Sequence, residues 1–299
     1  SPENKHLVRG KCSYSELLRK TGHEKRFSSN LPYITAVTKS STMDMTLIRE
    51  VFSNFLEMIE ILGAKEPLEE EVREAYRCLP PYRIGRFGQL QEWYEDEEEC
   101  SPGMGHMSHL YGVYPGEIIS SDDTVLRSAA AKSLLRRRAH GGLKKGWPAA
   151  WAVCLAARMG LTEVCADTMH TIGTGLGKNL LTENNWQIDC VLGWAAGIVE
   201  MLLQSQEGII RLLPALPSGW REGSFHGFCA RGGFRIDLAW KDGLPYEGCV
   251  HADADGTCRI SHPALSSVHI GTKKYLPSNK EPGYILFECK AGECYRLLF

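Results

Sequence analysis

Residues 41–63 of the chain read STMDMTLIREVFSNFLEMIEILG, and they set the pattern for the first part of the sequence. Their apolar residues recur every three or four positions, which predicts an amphipathic α-helix with one buried face. Ser41 and Asp44 form a capping-box pattern at its start, and Gly63 is placed to end it. This stretch therefore predicts helical structure that needs an apolar partner surface.

The same periodicity recurs downstream, with no strand pattern between the predicted helices. The further helical segments are 68–78, 122–139, 148–159, 162–172 and 191–204. Helices that follow one another in this way bury their apolar faces against each other. The loops at 80–108 and 173–187 are long and rich in polar and aromatic residues, so functional side chains are expected there.

The period of the pattern changes after Gly208. Residues 234–240 alternate between the two faces of a strand, and Lys-Asp-Gly at 241–243 supplies a turn. Further short candidate strands lie at 248–252, 257–261, 267–270, 284–288 and 294–298. Their spacing is typical of an antiparallel β-sandwich. We predict two domains, a helical one over residues 1–207 and a β domain over residues 208–299.

Charge and hydropathy exclude two classes of partner. The 299 residues carry 34 Lys and Arg against 36 Asp and Glu, a formal net charge of −2. Such a chain has no strong positive field to hold a polyphosphate backbone, so no nucleic-acid partner is expected. No apolar run approaches the roughly 18 residues that a membrane-spanning helix needs, so no membrane partner is expected.

The cysteines bear on the compartment. There are 11 of them, an odd number, and no pair has the C-x-x-C spacing of a zinc ligand or redox motif. We therefore expect free, buried thiols. This favours a cytoplasmic location and leaves a secreted one open, because no signal peptide is visible in this piece.

Four segments of the helical half occur in a particular order and spacing. They are SPEN at 1–4, IGRFGQLQEW at 84–93, HMSHLYGVYPG at 106–116 and QID at 187–189. Together they resemble the C-terminal part of glycoside hydrolase family 95, whose known members are α-L-fucosidases and α-L-galactosidases. The likeness continues through residues 200–205 and 212–217, and into the β domain at 231–234 and 240–243.

The resemblance implies a fold and a class of substrate. The fold would be part of an α/α six-hairpin toroid followed by the antiparallel β-sandwich. The chain begins at Ser1 and not at a methionine, and an upstream part of the same polypeptide is expected to supply the first helices of the toroid and a further β domain. The substrate would be an oligosaccharide or glycan, and no cofactor is expected.

The resemblance also assigns two catalytic residues. Glu3 matches the family's general acid, and burial would raise its pKa enough to keep it protonated. From the residues alone, Glu3 reads as a solvated terminal glutamate. Asp189 matches the aspartate that supports the water-activating group, through asparagine side chains expected before Ser1. The alternative is that Asp189 caps a helix starting near Val191.

Four further residues are substrate-binding candidates. His106 matches the family's sugar-contacting histidine, and Gln187 lies in the same segment as Asp189. Trp93 and Trp147 would offer ring faces to a sugar, whereas Trp151 is expected in the core. His109 is expected to be structural. Two histidines without a third ligand at metal spacing predict no metal site.

Two departures from the family pattern concern the same pocket. Gly105 stands where a basic residue is usual, and Cys190-Val191 stands where Gly-Asn is usual. We expect a lost sugar contact and a less polar pocket floor. The predicted function is inverting hydrolysis of terminal α-L-fucosyl or α-L-galactosyl residues. The alternatives are a catalytically impaired carbohydrate-binding or structural remnant, and a phosphorylase of similar fold.

Overall fold

The structure is a computed structural model that describes residues 40–96, 99, 101–177, 187–277 and 284–299. The segment 1–4 with the candidate acid Glu3 lies outside the described residues. No helix within them is both long enough and apolar enough to cross a membrane.

The described part of the helical domain contains six α-helices. They are α1 (Thr42–Leu62), α2 (Glu69–Arg77), α3 (Thr124–Ala139), α4 (Gly146–Arg158), α5 (Thr162–Thr174) and α6 (Ile188–Leu202). Each coincides with a predicted segment, and most ends differ by a few residues, as helix ends usually do. The prediction of one helix over 191–204 is wrong at its end, because Leu203–Gln204 is already a strand.

The predicted caps of α1 are present. The Ser41 hydroxyl accepts a hydrogen bond from the Asp44 backbone N–H at 3.1 Å, and Gly63 ends the helix in the left-handed region with φ of 59°. On the inner face of α1, Thr46 and Ile59 are buried, whereas several apolar residues further round the helix are exposed. Helix α1 is thus amphipathic, but the described residues do not cover all of its apolar surface.

Helices α4 and α6 lie side by side and run parallel. At their N-terminal ends, the backbone N–H of Trp147 donates to the Gln187 side chain at 3.3 Å. At their C-terminal ends, Arg158 binds Glu200 through two hydrogen bonds of 2.5 and 3.0 Å. Since N-terminal end meets N-terminal end and C-terminal end meets C-terminal end, the two helices point in the same direction. Helix α5, which lies between them in the sequence, must therefore run in the opposite direction.

Glycines allow α4 and α6 to approach closely. A Cβ atom placed at Gly197 would lie 2.7 Å from Cγ1 of Val153, and one at Gly193 would lie 3.1 Å from Cβ of Ala150. Both distances are shorter than van der Waals contact between carbon atoms. The core of the helical domain is built on this contact, which buries an alanine-rich face of α4.

The β domain contains ten described strands. They are β1 (Leu203–Gln204), β2 (Ile210–Leu212), β3 (Gly223–Ala230), β4 (Phe234–Lys241), β5 (Leu244–Ala252), β6 (Gly256–Ser261), β7 (Ser267–Ile270), β8 (Lys273–Tyr275), β9 (Ile285–Cys289) and β10 (Cys294–Leu298). One sheet has the order β1-β2-β6-β9, and the other has the order β3-β4-β5-β10-β7-β8. A second apolar core fills the space between them.

The prediction of a purely antiparallel sandwich is wrong at one pair. Strands β2 and β6 are parallel, with Ile210 opposite Ile260. Parallel neighbours need a long crossover, and here β3, β4 and β5 in the other sheet provide it. The remaining pairs of described strands are antiparallel.

Strand β3 was not predicted because glycines interrupt its pattern. Its pairing with β4 shifts register between Phe225 and Phe228, and Gly227 within the shift has a φ of 67°. A bulge of this kind breaks the simple alternation by which a strand is recognised.

The two domains share apolar and polar contacts. Ile198 and Trp220 pack against both cores. The Glu207 carboxylate accepts hydrogen bonds from the backbone N–H and the hydroxyl of Ser121 at 2.6 and 2.5 Å, and Arg211 binds the same carboxylate at 2.8 Å. The predicted boundary after residue 207 falls inside this junction and stays a prediction.

The expectation of free thiols is wrong at one pair. Cys249 and Cys294 form a disulfide between β5 and β10 across 45 residues of sequence. The other described cysteines are free, and most of them are buried.

The close contact of α4 and α6 is testable by adding one methyl group. We expect Gly197→Ala to destabilise both helices by about 1–3 kcal/mol, because the methyl group overpacks against Val153. Native-state hydrogen exchange of the α4 and α6 amides would measure this free energy of opening. The double variant with Val153→Ala should lose less than the sum of the two single variants. Strict additivity would contradict the proposed contact.

Candidate active site

A cluster of side chains forms where the 106–116 segment meets the N-terminal ends of α4 and α6. The exposed ring of His106 lies edge-on to Trp147, with centroids 5.0 Å apart and an angle of 67° between the rings. Trp147 in turn lies 6.3 Å from Trp151. The Trp147 backbone is bound to Gln187, so three predicted site residues come together. We call His106, Trp147 and Gln187 the aromatic–amide cluster.

Gly146 makes this cluster possible. Its φ of 64° lies in the left-handed region, which a residue with a side chain adopts only at a cost. A Cβ atom at this position would lie 2.6 Å from Oε1 of Gln187. The glycine therefore leaves the space in which the amide oxygen meets the Trp147 N–H.

Asp189 lies two residues beyond Gln187, exposed in the first turn of α6. The helix begins at Ile188 and its N-cap is Gln187, whose side chain makes no capping hydrogen bond. The alternative interpretation of Asp189 as an N-cap is therefore wrong, because the helix starts earlier than the sequence suggested. A carboxylate in this position is stabilised by the N-terminal end of the helix dipole.

Trp93 lies in a different environment from Trp147. It lines a pocket of about 20 Å³ together with residues that include Thr42, Tyr82 and Tyr94. None of the residues lining that pocket belongs to the aromatic–amide cluster. The role of Trp93 in sugar binding stays a prediction.

Trp151 connects the cluster to the core, as its predicted core role requires. Its indole N–H donates to the backbone carbonyl of Tyr114 at 2.9 Å, and its ring packs against the buried residues of the helical domain. This bond joins α4 to the end of the segment that carries His106.

A buried charged group joins the 84–93 segment and the loop at Ser101 to α3. Arg137 is only 5% exposed, and it donates to Glu92 Oε2 at 2.6 Å and to the Ser101 carbonyl at 3.2 Å. Burial raises the pKa of Glu92, and the Arg137 charge opposes that rise. Sequence analysis missed Arg137, because it stands between two other arginines in a helix and has no motif of its own.

His109 is buried beside this ion pair. It is 3% exposed, and its Nδ1 lies 3.9 Å from Glu92 Oε2 without a hydrogen-bond partner among the described residues. Burial, with the Arg137 charge as a second cause, lowers the pKa of His109 to about 3. The imidazole is therefore neutral near pH 7.

The two departures from the family pattern have distinct surroundings. A Cβ atom at Gly105 would lie 2.9 Å from Cγ of Pro148, so this loop packs directly on the first turn of α4. Cys190 is fully buried in the helical core, and burial raises the pKa of its thiol, with the Asp189 charge adding to the rise. Cys190 thus belongs to helix packing and does not line a pocket floor, whereas for Val191 the expectation of a less polar floor stays a prediction.

Comparison with known families defines the class of protein. Residues 5–202 match the catalytic domain of glycosyl hydrolase family 95, and residues 204–297 match the C-terminal domain of the same family. The chain belongs to glycoside hydrolase family 95. The resemblance seen in the sequence motifs is confirmed.

Named relatives match most of the chain. The chain is 32% identical over 276 residues to "Alpha-L-fucosidase 2" of Arabidopsis thaliana, covering 87% of this chain and 32% of the relative. It is 28% identical to "Probable alpha-fucosidase A" of Aspergillus oryzae, covering 65% of this chain and 31% of the relative. The chain thus spans about a third of the length of these curated relatives.

Among solved structures, a putative kojibiose phosphorylase from the human microbiome aligns with 83% of this chain and 36% of its own length. The TM-score is 0.45 and the sequence identity is 11%.

The requirement for glycine at position 146 is testable against a matched glycine. Gly146→Ala and Gly160→Ala both place alanine at a φ near 65°, but only position 146 has a neighbour within 4 Å. We expect Gly160→Ala to cost about 1–2 kcal/mol of stability. Gly146→Ala should cost about 1 kcal/mol more, because the bond to Gln187 is lost. Denaturant unfolding measures both, and equal losses would contradict the role of Gly146.

The neutral state of buried His109 predicts a pH dependence of stability. The unfolded chain protonates His109 below its ordinary pKa of 6.5, whereas the folded chain does so only near pH 3. The contribution of neutral His109 to the free energy of unfolding is therefore complete above pH 6.5. It is lost at about 1.4 kcal/mol per pH unit as the pH falls towards 3, because the unfolded chain takes up a proton that the folded chain does not. Denaturant unfolding between pH 6.5 and 5 should show a flatter dependence in His109→Gln.

The pH prediction has two controls. Glu92 has a raised pKa, so its effect on the pH dependence of stability has the opposite sign. Because Glu92 is present both in the unsubstituted protein and in His109→Gln, the difference between their two slopes reports on His109. His170 is exposed on α5, and His170→Gln should keep the slope of the unsubstituted protein. A His109→Gln slope equal to that of His170→Gln would refute the buried neutral imidazole.

Proposed function

We propose that the polypeptide containing this chain hydrolyses terminal α-L-fucosyl, or α-L-galactosyl, residues from oligosaccharides or glycans with inversion of the anomeric centre. The observation that carries this proposal is the match of residues 5–202 to the family's catalytic domain. Similarity to a protein named "Alpha-L-fucosidase 2" over 87% of the chain supports fucose as the sugar.

We further propose that helices α1 to α6 form part of a six-hairpin toroid. The parallel packing of α4 and α6, with α5 returning between them, is the arrangement of consecutive hairpins in such a ring. Exposed apolar residues support the proposal, since Ile61 and Leu62 of α1 and Leu192 of α6 are 73%, 74% and 63% exposed. An upstream part of the same polypeptide would cover them, in keeping with relatives about three times as long.

The proposed mechanism uses two groups on opposite sides of the scissile bond. Glu3 protonates the leaving oxygen, and Asp189 orients the asparagine side chains that activate water. An inverting enzyme holds its acid and base roughly 6.5–9.5 Å apart so that a water molecule fits between the base and the sugar. The position of Asp189 in the first turn of α6 supports its part, because negative charge is stabilised there.

The aromatic–amide cluster would bind the sugar. The exposed imidazole of His106 can donate to or accept from a hydroxyl group, and the Trp147 ring offers an apolar surface to C–H groups. Because the Gln187 oxygen is held by the Trp147 backbone, the orientation of its amide is fixed. Preference for fucose over L-galactose then depends on whether the wall near C6 is apolar or polar, since one hydroxyl separates the two sugars.

The stereochemical course tests the reaction class. We expect NMR spectra of a reaction by the full-length polypeptide to show the β-anomer of the released L-sugar first, followed by slow mutarotation. Release of the α-anomer would exclude the inverting mechanism. Saturable fucose binding without any product would identify a carbohydrate-binding remnant, and turnover that requires phosphate would identify a phosphorylase.

The role of Glu3 is testable by charge-neutral substitution. Glu3→Gln should lower kcat about 10²–10⁴-fold on substrates with poor leaving groups, the usual contribution of a general acid. The loss should be much smaller on an aryl fucoside whose leaving group needs no proton. Glu163→Gln, at an exposed position on α5, is the matched control. Similar losses on both substrates would contradict the assignment of Glu3 as the acid.

A further inference from the structure

The outer face of the six-stranded sheet carries a cluster of metal-binding side chains far along the chain from the candidate active site. Cys249 and His251 lie two residues apart on β5 and so point to the same face. Cys294 on β10 lies directly opposite His251. One ligand atom from each of the three residues lies within 4.8 Å of the others.

A carboxylate on the next strand orients the imidazole. Asp237 of β4 lies opposite Cys249, and its Oδ2 is 2.8 Å from Nε2 of His251. The same carboxylate accepts the Gly227 N–H at 2.7 Å, and Nδ1 of His226 lies 3.9 Å from Oδ1. Metal-binding histidines commonly have one ring nitrogen held by a carboxylate in this way, which leaves the other nitrogen for the ion.

The two sulfur atoms are joined in the structure, so the cluster has two alternative states. A dithiol or phosphine reductant transfers two electrons to the disulfide and, with two protons, produces two thiols. We propose that Cys249, Cys294 and His251 of the reduced chain then bind one thiophilic cation, with Zn²⁺ as the expected ion. Binding of the ion to both thiolates releases the two protons.

The geometry and the donor atoms fit this ion. Zn–S bonds of about 2.3 Å in a tetrahedron place two sulfur atoms about 3.8 Å apart. The two sulfur atoms are bonded to each other in the structure and must separate after reduction, which rotation of the two cysteine side chains on Cα atoms 6.4 Å apart allows. Two thiolates and an imidazole favour zinc over calcium or magnesium, which prefer oxygen ligands. Three protein ligands leave the fourth position to water.

The cluster is open to an entering ion. Cys249 and His251 are partly exposed and Cys294 is exposed. The site lies on the β domain, and the proposed hydrolase activity uses none of these residues. Its disulfide and metal-bound forms exclude each other because both use the same two sulfur atoms.

Cobalt substitution tests the proposal in the full-length polypeptide. The protein is reduced with a phosphine, the reductant is removed without air, and Co²⁺ is titrated while absorption is recorded. We expect a thiolate-to-cobalt charge-transfer band that stops growing once one equivalent of Co²⁺ has bound at this site. Added Zn²⁺ should displace the Co²⁺ and remove the band. The unreduced protein should give no such band from this site.

Variants show whether these residues hold the ion. The double variant Cys249→Ser/Cys294→Ser should lose the band, and His251→Gln should weaken binding at least tenfold. Asp237→Asn should weaken it about 10–100-fold as a positioning residue, with the thiolate band retained at saturation. Cys229→Ser is the matched control, because Cys229 is an exposed free thiol on β3 of the same sheet, and binding should be unchanged.

Three results would overturn the proposal. The first is the absence of a thiolate band in the reduced wild-type protein. The second is a band that persists in the double cysteine variant with its far-UV circular dichroism unchanged. The third is a His251→Gln variant that binds Co²⁺ as tightly as the wild type.

Discussion

The close parallel contact between α4 and α6 is the constraint on which the helical domain depends. Glycines at 193 and 197 bring α6 against Ala150 and Val153 of α4, and this contact fixes the positions of the two helices relative to each other. Trp147 at the start of α4 and Gln187 at the start of α6 are therefore neighbours. Helix packing, and not a local loop motif, brings together candidate site residues separated by 40 positions in the sequence.

A group of polar side chains near the candidate site also fixes the positions of separate segments relative to one another. Glu92, His109 and Arg137 come from three separate segments and meet where His109 and Arg137 are almost completely buried. Breaking such a buried pair leaves an uncompensated charge, which costs far more than the pair contributes when intact. The group therefore restricts the relative positions of these segments, because few other arrangements satisfy the Arg137 guanidinium.

Features governed by local physics could be predicted from the sequence, and those governed by distant contacts could not. The helix over Thr42–Leu62 and its caps follow from spacing and from Ser41 and Gly63. The parallel pairing of Ile210 with Ile260, the Cys249–Cys294 disulfide and the role of Arg137 depend on segments far apart in the chain. Family motifs indicated which residues are candidates for the site, but the packing determines their environments: Cys190 is buried in the core, and Trp93 lines a separate pocket.

The junction between the domains has a consequence for how the chain functions as a unit. Glu117 and Ser121 follow the segment that carries His106. Arg231 of the β domain binds Glu117, and Glu207, in the connection between the domains, binds Ser121. The β domain thus stabilises the position of the loop that follows His106, which faces the sugar in the proposed function. This contact gives a physical reason for the two domains to occur together, because a catalytic domain without the β domain would lose the contacts that hold its own substrate-facing loop in place.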